Sequence, residues 1–351
     1  MDLRTLNITS ELLKLISEID EFKGVWSMMH SLTPERLQSL KKVATIESIG
    51  SSTRIEGSKL SDEAIEDLLT NTGTQSFATR DEQEVAGYAE LMETIFQNYE
   101  DIPLTENYIQ QLHGALLRHS SKDERHRGHY KTHSNNVEAF DADGKSLGIA
   151  FETTSPFDTP KEMDGLVRWA RESLQDKSHH PLILIAVFNV TFLAIHPFQD
   201  GNGRLSRSLV TLLLLTAGYQ YTPYSSLESI IEQNKEAYYL ALRRTQKTLK
   251  SDQVDWQPWL QFFLHSIKRQ INHLSNKIQR SKNYEDLTTE SILILEYLAE
   301  HPRLTTAEAV KLTGALRPTI KNRLKSLVEM GLLARHGKGR GSWYSLTAST
   351  S

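Results

Sequence analysis

The sequence predicts an all-α fold with two small β elements, one of them inside a basic C-terminal domain. Three observations lead to this prediction: apolar residues recur at helical spacing, strand signals are few, and the charge balance changes near residue 285. The helical spacing covers residues 12–19, 64–69, 86–96, 109–117, 163–174, 182–195, 205–217 and 259–274. A length of 351 residues suggests two or three domains.

The composition excludes several classes of protein. The chain has no Cys, which rules out disulfides, thiolate metal sites and a cysteine nucleophile. Its start is polar, and its longest apolar stretches, 181–195 and 209–217, fall short of the roughly 20 residues that a membrane span needs. A net charge of −4 excludes a basic coat over the whole chain. We therefore expect a cytoplasmic protein without membrane contact.

The best strand signal lies around residues 135–151, where Asp141 to Gly144 form a turn between two short extended segments. This pattern predicts a β-hairpin. The second β element falls near the C-terminus, where residues 303–346 contain nine basic and two acidic side chains. That segment carries a net +7, so the rest of the chain carries −11. Such asymmetry indicates a small basic domain attached to an acidic body.

The most informative segment is residues 196–207, with the sequence HPFQDGNGRLSR. Pro197 ends the preceding apolar helix, and a second helix begins at about Gly203. The glycines of the loop between them let backbone N–H groups approach a ligand, and the positive end of the second helix adds to an anion site. Arg204 and Arg207 are three residues apart and can add guanidinium donors.

Two further residues of this segment have chemical roles. Asp200, beside a polyphosphate, is suited to hold a divalent cation, usually Mg²⁺. His196 lies across the loop and can act as a general base toward a hydroxyl. Together these groups predict nucleotidyl or phosphoryl transfer. The alternative is a plain connector between two helices, which would need neither the two arginines nor the preceding His-Pro-Phe.

The segment resembles the motif of the Fic family, H-P-F-x-D/E-G-N-G-R-x-x-R, at every defined position. The resemblance implies a helical fold and transfer of AMP from ATP to a protein hydroxyl. It implies that His196 is the base, that Asp200 holds Mg²⁺ and that Arg207 pairs with the γ-phosphate. The remaining nucleotide-binding residues implied by the motif are Gly201, Asn202, Gly203, Arg204, Leu205 and Ser206.

A second motif, Ser52 to Gly57, lies upstream on a segment predicted to be helical. Ser52 and Glu56 are four residues apart and share a face, and Gly57 is a plausible helix stop. Alone, the pattern is a weak signal for anything beyond a surface helix end. Beside the Fic motif it resembles the N-terminal inhibitory helix of that family, here over about 48–58. The resemblance implies that Glu56 pairs with Arg207 and takes the place of the γ-phosphate.

The resemblance also assigns the surroundings of the motif. The hairpin, at about 130–155, corresponds to a flap that docks the target protein, with Val137 and Phe140 as flap residues. Tyr238, Tyr239 and Gln246 correspond to the adenine side, where the family has Asn in place of Gln246; core packing is the alternative for the tyrosines. His126, His129 and His133 allow a zinc site in principle, but without Cys an exposed flap base is favoured.

The C-terminal segment reads as three short helices and two strands, which resembles a winged helix-turn-helix. Its basic residues suit contact with DNA phosphates and a groove. The predicted DNA-binding residues are Lys321, Arg323, Lys325, Lys338 and Arg340. Contact with protein is the alternative. The predicted domains are therefore a helical region at 1–105, a Fic core at 106–280 and a winged helix at 285–346.

Two main functions follow from these expectations. The first is a protein adenylyltransferase that uses ATP and Mg²⁺ to modify a Ser, Thr or Tyr of an unknown target protein or of itself. The second is a DNA-binding transcriptional regulator whose Fic body senses nucleotide. A third hypothesis keeps the site but changes the reaction, either to the removal of AMP from a modified protein or to the transfer of another phosphate-containing group. Fic relatives often dimerise, so a homodimer is also an expectation.

Overall fold

The computed structural model describes residues 3–28, 32–70, 77–140, 146–282, 287–337 and 339–347. The body is mostly helical. Its helices are α1 Ser10–Ser27, α2 Pro34–Ile55, α3 Asp62–Thr70, α4 Arg80–Asn98, α5 Glu106–Leu116, α6 Thr159–Asp176, α7 Pro181–Ile195, α8 Asn202–Thr216, α9 Leu227–Gln233, α10 Lys235–Gln246 and α11 Gln257–Lys282. A 3-10 turn spans Thr222–Tyr224.

The core of the body is built around α7. This helix is apolar on all sides, and nearly all of its residues are buried, as expected for a helix that is surrounded by others. The indole of Trp259, in α11, donates to the carbonyl of Ala186 in α7 at 2.7 Å. Helix α8 follows α7 after a six-residue loop and packs against it. The HPFQDGNGRLSR segment therefore lies on a rigid pair of buried helices.

Helix α2 is longer than the sequence predicts. Thr33 caps it, Pro34 starts it and it ends at Ile55, so Glu56 is the C-cap and Gly57, with φ of +108°, terminates it. The prediction of a helix over 48–58 thus missed its first half and extended too far at its end. The first half was missed because α2 buries polar residues, including Ser39, Glu47 and Ser48, which blur the apolar spacing.

The predicted hairpin is present. Strands β1, Val137–Phe140, and β2, Ser146–Phe151, pair antiparallel with Val137 opposite Phe151, and the register shifts twice along the pair. The predicted turn over residues 141–145 lies outside the described residues, as do the side chains of Val137 and Phe140.

The C-terminal domain has the winged-helix arrangement that the sequence predicts. Its elements are α12 Thr289–Glu300, β3 Leu304–Thr305, α13 Thr306–Thr313, α14 Arg317–Glu329, β4 Leu333–His336 and β5 Trp343–Leu346. The sheet has the order β3-β5-β4, and β3 was not predicted because two residues carry no periodicity. A separate core includes Ile294, Leu304, Ile320 and Leu324.

Candidate active site

His196 is held in a strained turn at the end of α7. Its φ of +53° is left-handed, which is uncommon for a residue other than glycine. Its Nδ1 lies 3.3 Å from the carbonyl of Leu193. A carbonyl only accepts, so Nδ1 carries the proton and Nε2 keeps the lone pair. Burial lowers the pKa of His196 to about 4, so the imidazole is neutral near pH 7 and can accept a proton.

Lys131 and Asn135 hold this turn from the side of the hairpin. The buried ammonium of Lys131 donates to the carbonyl of Ile195 at 3.0 Å and to Asn135 and Thr153. The amide of Asn135 donates to the carbonyls of His196, at 3.1 Å, and Phe198, at 2.6 Å. Burial lowers the pKa of Lys131 to about 8. Sequence reasoning missed both residues, since the carbonyls of Ile195, His196 and Phe198 that they hold are more than 60 positions away.

Asn202 and His113 fix the other half of the loop. The Asn202 side chain accepts from the N–H of Phe198 at 2.9 Å and donates to its carbonyl at 2.6 Å. His113 donates through Nε2 to the carbonyl of Asp200 at 3.0 Å and accepts through Nδ1 from the N–H of Gly128 at 2.8 Å. Its ring stacks on Phe198 with centroids 3.8 Å apart. The amide of Asn202 thus closes the loop, and Asn202 and Gly203 offer a ligand their backbone N–H groups at the start of α8.

Asp200 is the partly exposed carboxylate of the loop. Its Oδ1 accepts from the N–H of Gly201 at 2.6 Å, and its Oδ2 lies 3.2 Å from Nη2 of Arg80. Its side chain is 31 % exposed. Among the described residues, no group of three or more His, Asp or Glu side chains could hold a metal ion by itself. A single accessible carboxylate beside a helix N-terminus fits Mg²⁺ held jointly with nucleotide phosphates.

Arg204, Leu205 and Ser206 lie on the inner side of α8. Arg204 is buried and pairs with Glu84 at 3.0 Å and with Asp200 at 3.6 Å. The Leu205 side chain belongs to the main core. The Ser206 hydroxyl donates to the carbonyl of Gly203 at 2.8 Å. The side chains of these three residues therefore support the loop from behind.

Arg207 forms hydrogen bonds with residues at the end of α2. Its Nη2 donates to Oε1 of Glu56 at 2.8 Å and to the carbonyl of Ser52 at 2.9 Å, and its Nε donates to the Ser52 hydroxyl at 2.9 Å. Within the described part of the chain, its Nη1 has no hydrogen-bond partner. The guanidinium is 4 % exposed and the Glu56 carboxylate is 32 % exposed. The guanidinium is thus buried, with one of its nitrogens not hydrogen-bonded to any described residue.

Glu56 also lies directly over Gly203. A Cβ at Gly203 would be only 2.1 Å from Oε1 of Glu56, so glycine is needed for this approach. Burial alone would raise the pKa of Glu56, but the charge and hydrogen bond of Arg207, together with the charges of Arg204 and His196, outweigh it and lower the pKa. An ionised carboxylate therefore lies at the N-terminal end of α8, where the sequence predicts a phosphate site.

The predicted adenine residues all lie on α10 but in different surroundings. Tyr238 is buried, and its ring packs edge-on against Tyr239 and Trp259. Gln246, at the end of α10, lines an open cleft of about 950 Å³ together with Ile195 and Phe151. This cleft reaches the residue before His196 and the end of the hairpin. Gln246 thus faces the cleft, while Tyr238 packs in the core.

The basic residues of the C-terminal domain divide into two sets. Lys321 and Lys325 are exposed on α14, and Arg317, one turn earlier, shares their face. Arg323 instead turns toward α12, where its Nε lies 3.6 Å from Oε2 of Glu290. Lys338 lies outside the described residues, as does the side chain of Arg340.

Comparisons with known proteins agree with this architecture. The profile of the Fic/DOC family matches residues 103–214, and the profile of the MarR family matches residues 285–340. A probable protein adenylyltransferase of Aquifex aeolicus is 26 % identical over 199 residues, which are 56 % of this chain and 57 % of that protein. The protein adenylyltransferase Fic of Drosophila mojavensis is 25 % identical over 259 residues, 73 % of this chain and 46 % of that protein. The chain spans about half the length of these relatives.

Solved structures share the fold. A Fic family protein from Desulfovibrio desulfuricans superposes with a TM-score of 0.59 at 24 % identity, over 98 % of each chain. A Fic domain-containing signalling protein from Bacteroides thetaiotaomicron gives a TM-score of 0.54 at 24 % identity, over 86 % of this chain and 98 % of that one. In the described residues, no helix has the length and apolar character needed to cross a bilayer. The chain therefore combines a Fic/DOC-family domain with a C-terminal MarR-type winged-helix domain.

Proposed function

We propose that this chain is a protein adenylyltransferase that transfers AMP from ATP to a hydroxyl of a target protein or of itself, and that Glu56 inhibits it. The observation that carries the proposal is the position of Glu56. Its carboxylate lies 2.8 Å from Arg207 and over Gly203 at the start of α8. A carboxylate in that place imitates an anionic ligand of a helix N-terminus, which is what the terminal phosphate of ATP would be.

We propose that the nucleotide binds in the cleft lined by Gln246. Its lining includes Ile195, next to His196, and Gln246, whose amide can hydrogen-bond a purine edge. The phosphates would then extend from the cleft toward the N–H groups of Asn202 and Gly203 and toward Arg207. Mg²⁺ held by Asp200 and the phosphates would neutralise negative charge as the leaving group forms.

The proposed transfer uses His196 as the base. The target hydroxyl oxygen forms a bond to the α-phosphorus, while the bond from that phosphorus to the bridging oxygen of the β-phosphate breaks. The hydroxyl proton passes to Nε2 of His196, and pyrophosphate leaves with the bonding electrons. Because Nδ1 donates a hydrogen bond to the carbonyl of Leu193, the imidazole is already the tautomer in which Nε2 can accept a proton.

Inhibition follows from charge competition. With Glu56 in place, the γ-phosphate meets a carboxylate instead of a vacant guanidinium edge, and like charges repel. The triphosphate is then displaced, and its α-phosphate is no longer in line with the hydroxyl.

The test is label transfer from ATP. Wild type, Glu56→Gly and His196→Ala are incubated with Mg²⁺, cell lysate and ATP labelled at the α- or the γ-phosphate. Protein label from the α-position alone, stronger in Glu56→Gly and absent in His196→Ala, supports the proposal. Label from the γ-position alone, or none in any variant, overturns it. Release of AMP from previously labelled protein by wild type would instead favour the reverse reaction.

A second function, DNA binding, is favoured by the C-terminal domain. The exposed face of α14 carries Arg317, Lys321 and Lys325, and the second helix of such a motif typically enters the major groove. We propose that this domain binds duplex DNA. Binding of a labelled duplex by fluorescence anisotropy, with and without the Lys321→Ala change, tests this proposal independently of AMP transfer.

A further inference from the structure

Helix α2 connects the proposed active site to the C-terminal domain. Its last turn contacts Arg207, and its first half packs against α12 and α13. Val43 belongs to the hydrophobic core of the C-terminal domain. Lys42 donates to the carbonyl of Leu312 at 2.6 Å, and Ser39 donates to the buried carboxylate of Glu296 at 3.4 Å. A single 22-residue helix thus has one end in each unit.

Helix α3 provides a second contact between the same units, and it is strongly charged. Asp67 pairs with Lys311 at 2.5 Å, and the hydroxyl of Tyr297 donates to Glu63 at 3.4 Å. The acidic side of α3 therefore faces basic and hydroxyl groups of α12 and α13. A polar interface of this kind is typical of units that can change their relative position.

Two ion pairs of Arg54 and one histidine–carboxylate contact run from this interface to the inhibitory segment. Arg54, two residues before Glu56, donates to Glu232 of α9 through Nε at 2.7 Å and through Nη2 at 3.0 Å. Its Nη1 donates to Oδ1 of Asp62 at 2.7 Å. The other oxygen of Asp62 lies 3.7 Å from Nε2 of His301, at the end of α12. Asp62 thus bridges the inhibitory helix and the C-terminal domain.

Gly50 makes room for this bridge. A Cβ on Gly50 would lie 2.5 Å from Oδ1 of Asp62 and 2.7 Å from Nη1 of Arg54. The close approach of α3 to α2 therefore depends on the absence of a side chain there. His301 is itself fixed, because its ring stacks on Tyr297 with centroids 3.9 Å apart.

We propose that the C-terminal domain is the partner surface that holds the end of α2 in its inhibitory position, through His301, Asp62 and Arg54. Arg54 and Asp62 are positioning residues for Glu56 and do not touch the nucleotide. Loosening the contact between His301 and Asp62 frees Arg54 on one side and lets Glu56 leave Arg207 more often. Any ligand that shifts the C-terminal domain on α2 and α3 then changes the rate of AMP transfer.

The test compares His301→Gln and Asp62→Asn with a matched control, Lys311→Ala. The control breaks an exposed ion pair between the same two units that does not reach Arg54. Each test variant is expected to raise AMP transfer about 5- to 10-fold, in line with typical coupling between sites. The rate of AMP transfer by the control should stay within about twofold of the wild-type rate. In a Glu56→Gly background, neither test variant should add a further increase, because the inhibitory carboxylate is already gone.

Amide hydrogen exchange of residues 51–58 gives a readout that does not depend on activity. It should be faster in His301→Gln and Asp62→Asn than in wild type and in Lys311→Ala. Unchanged exchange and transfer in both test variants overturns the inference, as does an equal gain in the Glu56→Gly background. The inference rests on the proposed function for its effect on rate. If Glu56→Gly transfers no AMP, the proposed function fails, while the exchange data still decide whether the C-terminal domain holds the end of α2.

Discussion

Glu56 and Arg207 are 151 residues apart in the chain, yet their side chains meet at 2.8 Å above the N-terminus of α8. Nη2 of Arg207 donates to both the Glu56 carboxylate and the Ser52 carbonyl, and Nε donates to the Ser52 hydroxyl. This pair places a carboxylate at the N-terminus of α8, where we propose that the terminal phosphate of ATP binds.

Replacing Glu56 by Gly is expected to raise AMP transfer. The pair is about one-third exposed on the Glu56 side, so water screens it and its loss should not unfold the protein. We expect at least a ~10-fold gain in the rate of label transfer from α-labelled ATP. Glu56→Gln, which keeps the shape and loses the charge, should give a smaller gain. A Glu56→Gly rate equal to that of wild type would contradict inhibition by this residue.

The pH dependence should reflect a buried, neutral His196. Because burial lowers its pKa to about 4, the base stays unprotonated from pH 8 down to about 5 and is lost only below that range. In the Glu56→Gly variant, the rate of transfer should therefore be nearly flat between pH 7 and pH 6, a range that also lies below the pKa of about 8 of Lys131. Circular dichroism at each pH checks that the fold is intact. A fall centred near pH 6.5 would show that His196 titrates like an exposed histidine.

Lys131 is expected to affect kcat through the turn that it holds. Lys131→Met keeps much of the length of the side chain but leaves the carbonyl of Ile195 without its donor. A buried acceptor left without a hydrogen bond costs about 1–3 kcal/mol, or roughly 5- to 150-fold in rate if the cost falls on the positioning of His196. The expected result, in the Glu56→Gly background, is a lower kcat with little change in KM for ATP. Lys122→Met, at an exposed position, is the control, and an equal loss there would point to a nonspecific effect.

DNA binding should depend on the exposed face of α14. Lys321→Ala and Lys325→Ala are each expected to weaken binding of a duplex and to lower the slope of log K against log salt by about 1, as for a lost phosphate contact. Arg323→Ala is the matched control, because Arg323 turns toward Glu290. Anisotropy titrations between 50 and 200 mM salt, the range over which phosphate contacts have a large effect, measure both quantities. Equal losses in all three variants would place the contact elsewhere.

The local features of this protein are predictable from neighbouring residues. The apolar run of α7, the stop at Pro197 and the glycines of the loop specify a helix, a turn and a second helix over a few residues. These signals act between neighbours, so spacing alone reveals them. The same holds for the hairpin and for the three helices and final strands of the C-terminal domain. A resemblance added the chemistry expected of His196, Asp200 and Arg207.

The tertiary structure shows which distant groups meet. It placed Lys131 and Asn135 on the carbonyls around His196, buried Arg204 against Glu84, and turned Arg323 away from the exposed face of α14. It also showed that α2 begins at Pro34 and carries the C-terminal domain on its first half. No periodic pattern or fixed spacing in the sequence marks any of these contacts. They arise because buried charges and carbonyls must find partners once the helices pack, and those partners come from segments that the chain order keeps far apart.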